Sequence, residues 1–90
     1  MVNHLNIHVY GRVQGVFFRS NMEAKARELK LAGFVRNEPD GSVYIEAEGE
    51  EKALEELLNW CKDGVQSAGV ERVESTKGKI TNFRDFKIAY

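Results

Sequence analysis

The ninety residues contain one cysteine, Cys61, and one proline, Pro39. A lone thiol excludes an intrachain disulfide and any metal centre built from cysteine pairs. No apolar run reaches membrane-spanning length and no signal-peptide hydrophobic region is present, so a cytoplasmic location without a membrane partner is expected. Long blocks of one charge are also missing, and the formal net charge is −1. A domain that tracks a nucleic-acid backbone is usually clearly basic, so no nucleic-acid partner is expected either. Any positive site must be assembled from a few placed groups, such as Arg12, Arg19 and Arg36. Histidine is scarce too, with only His4 and His8. Neither is expected to ligate a metal or act as a base, because His8 shares a strand face with Asn6 and Tyr10, opposite the side that reads as core.

What is present suffices for one domain, 1–90, with one core, and a monomer is the default. Leu5, Ile7 and Val9 alternate with polar partners, a period of two that predicts a first strand. From about Arg19 to Lys30, Met22, Ala26 and Leu29 recur at helical spacing, with the charged residues mostly on the wet side; Gly33 is read as the helix terminator. Phe34 to Glu38 reads as a short strand. Pro39-Asp40-Gly41-Ser42 then supplies a preset corner, a backbone-bonding carboxylate and a left-handed position. Val43, Ile45 and Ala47 resume the alternation, so the two segments form a hairpin, and Gly49 closes its second strand. Glu50 to Lys62 predicts a second helix, with Leu54, Leu57, Leu58 and Cys61 in one stripe, Trp60 beside it and Gly64 at its end. The glutamates 46, 48, 50, 51, 55 and 56 read as a solvated face. Val70 to Thr76 is a weaker strand; its two valines have opposite parity, which predicts a bulge or an early end. Lys77 to Asn82 is a polar connection, and Phe86, Ile88 and Tyr90 alternate as a last strand. Two helices with one apolar stripe each should pack on one face of an antiparallel sheet. The fold class is α+β, a ferredoxin-like sandwich of βαββαβ order plus one extra strand, whose place in the sheet does not follow from patterning.

Between the first strand and the first helix lies Gly11-Arg-Val-Gln-Gly-Val-Phe-Phe-Arg19. Two glycines four apart allow the backbone to curl tightly. A curled loop entering a helix aims several N–H groups at one point, and the helix N-terminus adds about half a positive charge. Such a loop is a cradle for a small anion, most naturally a phosphate. Arg19 at the junction offers a planar, always-charged fork for two phosphate oxygens. On spacing alone Arg19 reads equally well as a solvated first-turn arginine, and Asn37 as a residue that satisfies backbone groups beside the turn. Arg12 and Arg36 read as surface charges that steer anions, Cys61 as a small buried hydrophobe, and Phe17 and Phe18 as anchors of the loop on the core.

This nine-residue segment resembles the signature of the acylphosphatase family, and so does Gly33-Phe-Val-Arg-Asn37 running on through Asp40-Gly41-Ser42-Val43. The two motifs stand at the family's spacing, and the likeness extends to Phe86-x-Ile88-x-Tyr90. The resemblance implies hydrolysis of small acyl phosphates to a carboxylate and inorganic phosphate, with no cofactor and no metal. It implies that Arg19, with the backbone amides of Gln14, Gly15, Val16, Phe17 and Phe18, holds the phosphate, and that Asn37 orients the attacking water. Phe34 stands where the family commonly has tryptophan, and Gly64-Val65 where it often has Gly-Pro. Both departures bear on packing rather than on these groups.

The leaving carboxylate of an acyl phosphate needs little protonation, so the chemistry reduces to holding a dianion, placing a water in line and stabilising charge on the equatorial oxygens. A carboxamide can orient water without taking its proton. The competing reading is a non-enzymatic ferredoxin-like module. One form binds RNA by stacking bases on Tyr10 and Tyr44, but the RNP1 pattern is absent. The other form is a module fused within a larger maturation protein, for which this sequence has no additional stretch.

Overall fold

The computed structural model describes residues 2–12, 18–64 and 69–89. In chain order the elements are β1 (Val2–Gly11), α1 (Phe18–Glu28), β2 (Ala32–Asn37), β3 (Val43–Glu50), α2 (Glu51–Asn59), a π-turn (Trp60–Gly64), β4 (Val70–Lys77) and β5 (Phe86–Ala89). The alternation in β1 selects its buried face: Ile7 and Val9 are fully buried, and Leu5 packs against them. Phe18, Met22 and Ala26 form the buried stripe of α1, and Leu54 and Leu57 that of α2. Cys61, at the π-turn, is fully buried and joins the same core. That core lies between the helices and one face of the sheet.

The five described strands are ordered β4-β1-β3-β2-β5. β1 pairs antiparallel with β3 and β4, and β2 pairs antiparallel with β3. The expectation of an antiparallel sheet needs one correction, because β5 runs parallel to β2 and the sheet is mixed. The cause is where the chain turns. β4 ends with Lys77 opposite Leu5, and β5 begins with Phe86 opposite Gly33. Both points lie at the end of the sheet where β1 and β2 start. Residues 78–84 cross that end, so the chain can only run back in the direction of β2.

The parity clash in β4 resolves as a bulge. Tyr10 faces Arg72 and Gly11 faces Val70, which leaves Glu71 as the extra residue. Two glycine expectations are corrected. α1 is not stopped by Gly33 but by Lys30, a non-glycine residue at φ +60°. The Leu31 N–H donates to the Ala26 carbonyl at 2.9 Å and the Lys30 N–H to the Arg27 carbonyl at 3.0 Å, the paired bonds of a Schellman ending. Gly33 lies inside β2, where a Cβ would stand 1.8 Å from the Glu46 carbonyl oxygen; it permits close approach of the two backbones. β3 also runs through Gly49 to Glu50 and passes directly into α2.

Candidate functional site

The topology brings Arg19 and Asn37 to one end of the sheet. β1 and β2 both pair antiparallel with β3 and therefore run the same way. Val43 of β3 is the ladder partner of both Val9 and Asn37, so these three residues form one row across the sheet. Adjacent strands are ~4.8 Å apart, which sets Asn37 roughly 10 Å from the axis of β1. The chain leaves β1 just beyond this row, at Gly11, and enters α1 at Phe18 with Arg19 in the first helical turn. α1 carries no acidic residue in that turn, so the partial positive charge of its N-terminus is not neutralised there. Asn37 follows Val35 at a spacing of two, and Val35 is fully buried in the core. Asn37 therefore lies on the helix-covered face, the same side of the sheet as Arg19.

Gln14, Gly15, Val16 and Phe17 lie outside the described residues. Phe18 opens α1, where the first N–H groups have no intrahelical partner. Its ring is 1% exposed and sits 5.9 Å from the ring of Trp60, so Phe18 seats this end of the helix as its sequence position implies.

Asn37 carries the least ordinary polar atom of the site. Its Oδ1 is buried and accepts no hydrogen bond, the one such side-chain atom among the described residues. A buried acceptor without a partner costs about 1–3 kcal/mol. Whatever the amide nitrogen of Asn37 does, its oxygen is not used to satisfy backbone groups. The turn that follows is held by other groups. The Glu38 N–H donates to the Ser42 carbonyl at 2.8 Å and the Gly41 N–H to the Glu38 carbonyl at 3.1 Å. Asp40 Oδ1 accepts from the Ser42 N–H at 2.9 Å and from its hydroxyl at 2.5 Å. These two bonds from Ser42 hold the Asp40 carboxyl below its ordinary value.

The opposite face of the sheet uses its aromatic rings internally. His8 stacks on Tyr10 at 4.5 Å and meets Tyr44 edge-on at 5.7 Å. The Arg72 guanidinium lies 4.1 Å over the Tyr10 ring and that of Arg36 5.0 Å over Tyr44. Arg36 also bonds Glu38 at 3.2 Å, and Arg12 is exposed. Burial, and a hydroxyl bonded to Glu46 at 2.8 Å, push the Tyr44 phenol up to about 12.

One part of the acidic face expected to be solvated is not. Glu48 is buried, 5% exposed. Its carboxylate accepts the backbone N–H groups of Thr81, Asn82 and Phe83 and a bond from His4 Nδ1 at 2.6 Å. The other nitrogen of His4 faces Asn6 Oδ1 at 2.8 Å and Glu46 Oε1 at 3.1 Å. Both ring nitrogens thus face oxygen acceptors, an arrangement that favours the doubly protonated ring. Burial opposes its charge, but the bonds to Glu48 and Asn6 and the field of the two carboxylates outweigh burial and raise its pKa. Burial likewise opposes ionisation of Glu48, and the bonds from His4 and the three amides overcome it, lowering that pKa. Alternation assigned Glu48 to the open face correctly; the crossing of residues 78–84 over that face is what encloses it. This knot lies at the far end of the sheet from Asn37.

Among the described residues, no group of three His, Cys, Asp or Glu side chains is placed to hold a metal, and no helix is long and apolar enough to cross a membrane. Residues 5–88 match the family profile described as acylphosphatase. The chain is 48% identical to an acylphosphatase of Archaeoglobus fulgidus over 86 residues, covering 96% of this chain and 97% of that one. It is 44% identical to an acylphosphatase of Marinobacter nauticus over 90 residues, covering 99% and 98%. The crystal structure of an acylphosphatase from Bacillus subtilis superposes with a TM-score of 0.93 at 38% identity, over 100% of both chains.

Proposed function

This chain belongs to the acylphosphatase family, and we propose that it hydrolyses the carboxyl–phosphate bond of small acyl phosphates with Arg19 as phosphate anchor and Asn37 as the residue that orients water. In this reading the Arg19 fork and the amides of Gln14 to Phe18 hold two charged phosphate oxygens and stabilise them as the bond to the leaving group lengthens. Asn37 Oδ1 accepts a hydrogen bond from one water, which fixes that water's lone pair on phosphorus. The water oxygen forms the new P–O bond while the bond to the acyl oxygen breaks. The electron pair leaves with the carboxylate, which needs no proton, and the water's proton passes to a phosphate oxygen. No side chain is required to change its protonation state.

The observation that carries this reading is the unfilled, buried Oδ1 of Asn37 on the helix side of the sheet, at the end where α1 and Arg19 begin. An acceptor left open at a cost of about 1–3 kcal/mol is what a water-binding role requires. Hydrolysis of benzoyl phosphate tests it. Arg19→Ala should lower turnover ~10²–10³-fold, and Asn37→Ala by at least ~10²-fold, in line with the loss of single oxyanion-stabilising groups. Near-normal turnover in either variant removes that residue from the mechanism.

A further inference from the structure

We infer that His8 is a positioning residue for this hydrolysis: through the Ser42 hydroxyl it holds the β2–β3 turn so that Asn37 keeps its carboxamide oxygen aimed at the attacking water. The inference rests on the role given to Asn37 above. Asn37 and Val43 are the last ladder pair of the hairpin, and Glu38 and Ser42 close it with the bond between the Glu38 N–H and the Ser42 carbonyl. The backbone on either side of Asn37 is thus set by where Ser42 sits. Ser42 is 3% exposed, and its hydroxyl lies between Asp40 Oδ1 at 2.5 Å and His8 Nε2 at 2.6 Å.

The direction of these two bonds follows from the donors available. The Asp40 carboxylate only accepts, so the single hydroxyl proton of Ser42 goes to Asp40. The remaining bond must then be donated by His8, which places the imidazole proton on Nε2. A hydroxyl that gives to one side and receives from the other has its position fixed on both. His8 is itself held by the stack on Tyr10 and the edge contact with Tyr44. A rigid ring on β1 therefore reaches the residue that leads into β3 and secures the turn from the face of the sheet opposite Asn37. Without it, the Ser42 hydroxyl keeps its bond to Asp40 but loses the one that ties the turn to β1. Displacement matters there, because a 1 Å misplacement of a reacting group can cost ~10²-fold in rate.

The test is steady-state hydrolysis of benzoyl phosphate by His8→Ala, His8→Gln, Ser42→Ala and Ser42→Thr, with competitive inhibition by inorganic phosphate measured on each. His8→Ala and Ser42→Ala should lower kcat roughly tenfold, while KM and the phosphate inhibition constant stay within about twofold, since the anion cradle is untouched. His8→Gln retains an N–H donor and Ser42→Thr retains the hydroxyl, so both should recover most of the lost kcat. The side-chain amide resonances of Asn37 should move in His8→Ala and return in His8→Gln. Unchanged kcat in both alanine variants overturns the inference. So does a rise in KM and in the phosphate constant that parallels the fall in kcat, as does a failure of the Gln and Thr variants to recover. Should His8→Ala not fold, Ser42→Ala against Ser42→Thr decides alone. Asn37→Ala separates the two levels: if it is active, the role of Asn37 fails; if it is inactive while the His8 and Ser42 variants are normal, only the positioning role fails.

Discussion

At the scale of single residues, His4 shows how an ordinary-looking strand position becomes charged. Its two nitrogens face Glu48 on one side and Asn6 and Glu46 on the other, surroundings that favour the imidazolium. With the pKa raised above the ordinary 6.5, its contribution is fully present below that value and is lost as pH rises through the folded-state pKa. Glu48 behaves oppositely: lowered from 4.5, its contribution is present above that value and is lost as pH falls through the lower one. His4→Gln should therefore cost up to about 3–5 kcal/mol at mildly acid pH, the penalty of breaking a buried pair. The gap in Tm between wild type and variant should narrow as pH rises above the ordinary 6.5 through the raised pKa. Thermal melts across that range check it, and a constant gap would show that His4 is held neutral.

At the scale of elements, the helix ending is the most economical place to gain stability. Lys30 occupies the left-handed position of the Schellman turn at φ +60°, a conformation that costs an L-residue roughly 1–2 kcal/mol. Lys30→Gly removes that strain and loses part of the gain to the freer unfolded chain. The expected net is about 0.5–1 kcal/mol of added stability, or a rise in Tm of a few degrees for a domain of this size, read by calorimetry with activity unchanged. The elements also mark what could be read without coordinates. Turn chemistry at Pro39 to Ser42 placed the hairpin, because each of those residues forces a local backbone state. The opposite parity of Val70 and Val73 left a bulge or an early end open, and the register of β4 against β1 decides for the bulge. Gly33 was misread because a close backbone approach and a helix stop both ask for glycine, and only the position of Glu46 tells them apart. The burial of Glu48 and the parallel seating of β5 depend on where residues 78–84 cross, which no periodicity encodes. Of the candidate site, the shared location of Arg19 and Asn37 follows from strand order, whereas the unfilled Oδ1 of Asn37 could not be seen from its neighbours in sequence.

At the scale of the whole molecule, one apolar cluster joins both helices and the sheet, and Phe86 of β5, 1% exposed, belongs to it. The strand is short, with four residues at the sheet edge, but its side chain is part of the common interior. Arg27 of α1 also bonds the Phe86 carbonyl, with Nη2 at 3.1 Å. Phe86→Ala should cost about 3–5 kcal/mol, a large share of the ~5–15 kcal/mol available to such a domain. Urea unfolding should show the lower midpoint in one transition common to helix and tryptophan signals. A separate early loss confined to β5 would mean that the strand is an appendage.

The seating of β5 beside β2 has a kinetic side as well. Gly33 and Phe86 are neighbours in space while more than half the chain separates them. Bringing such distant segments together loses loop entropy before any contact rewards it, which slows assembly from the microseconds of helical bundles toward the milliseconds of mixed α/β domains. Until β5 is seated, the outer edge of β2 is an open template for other strands.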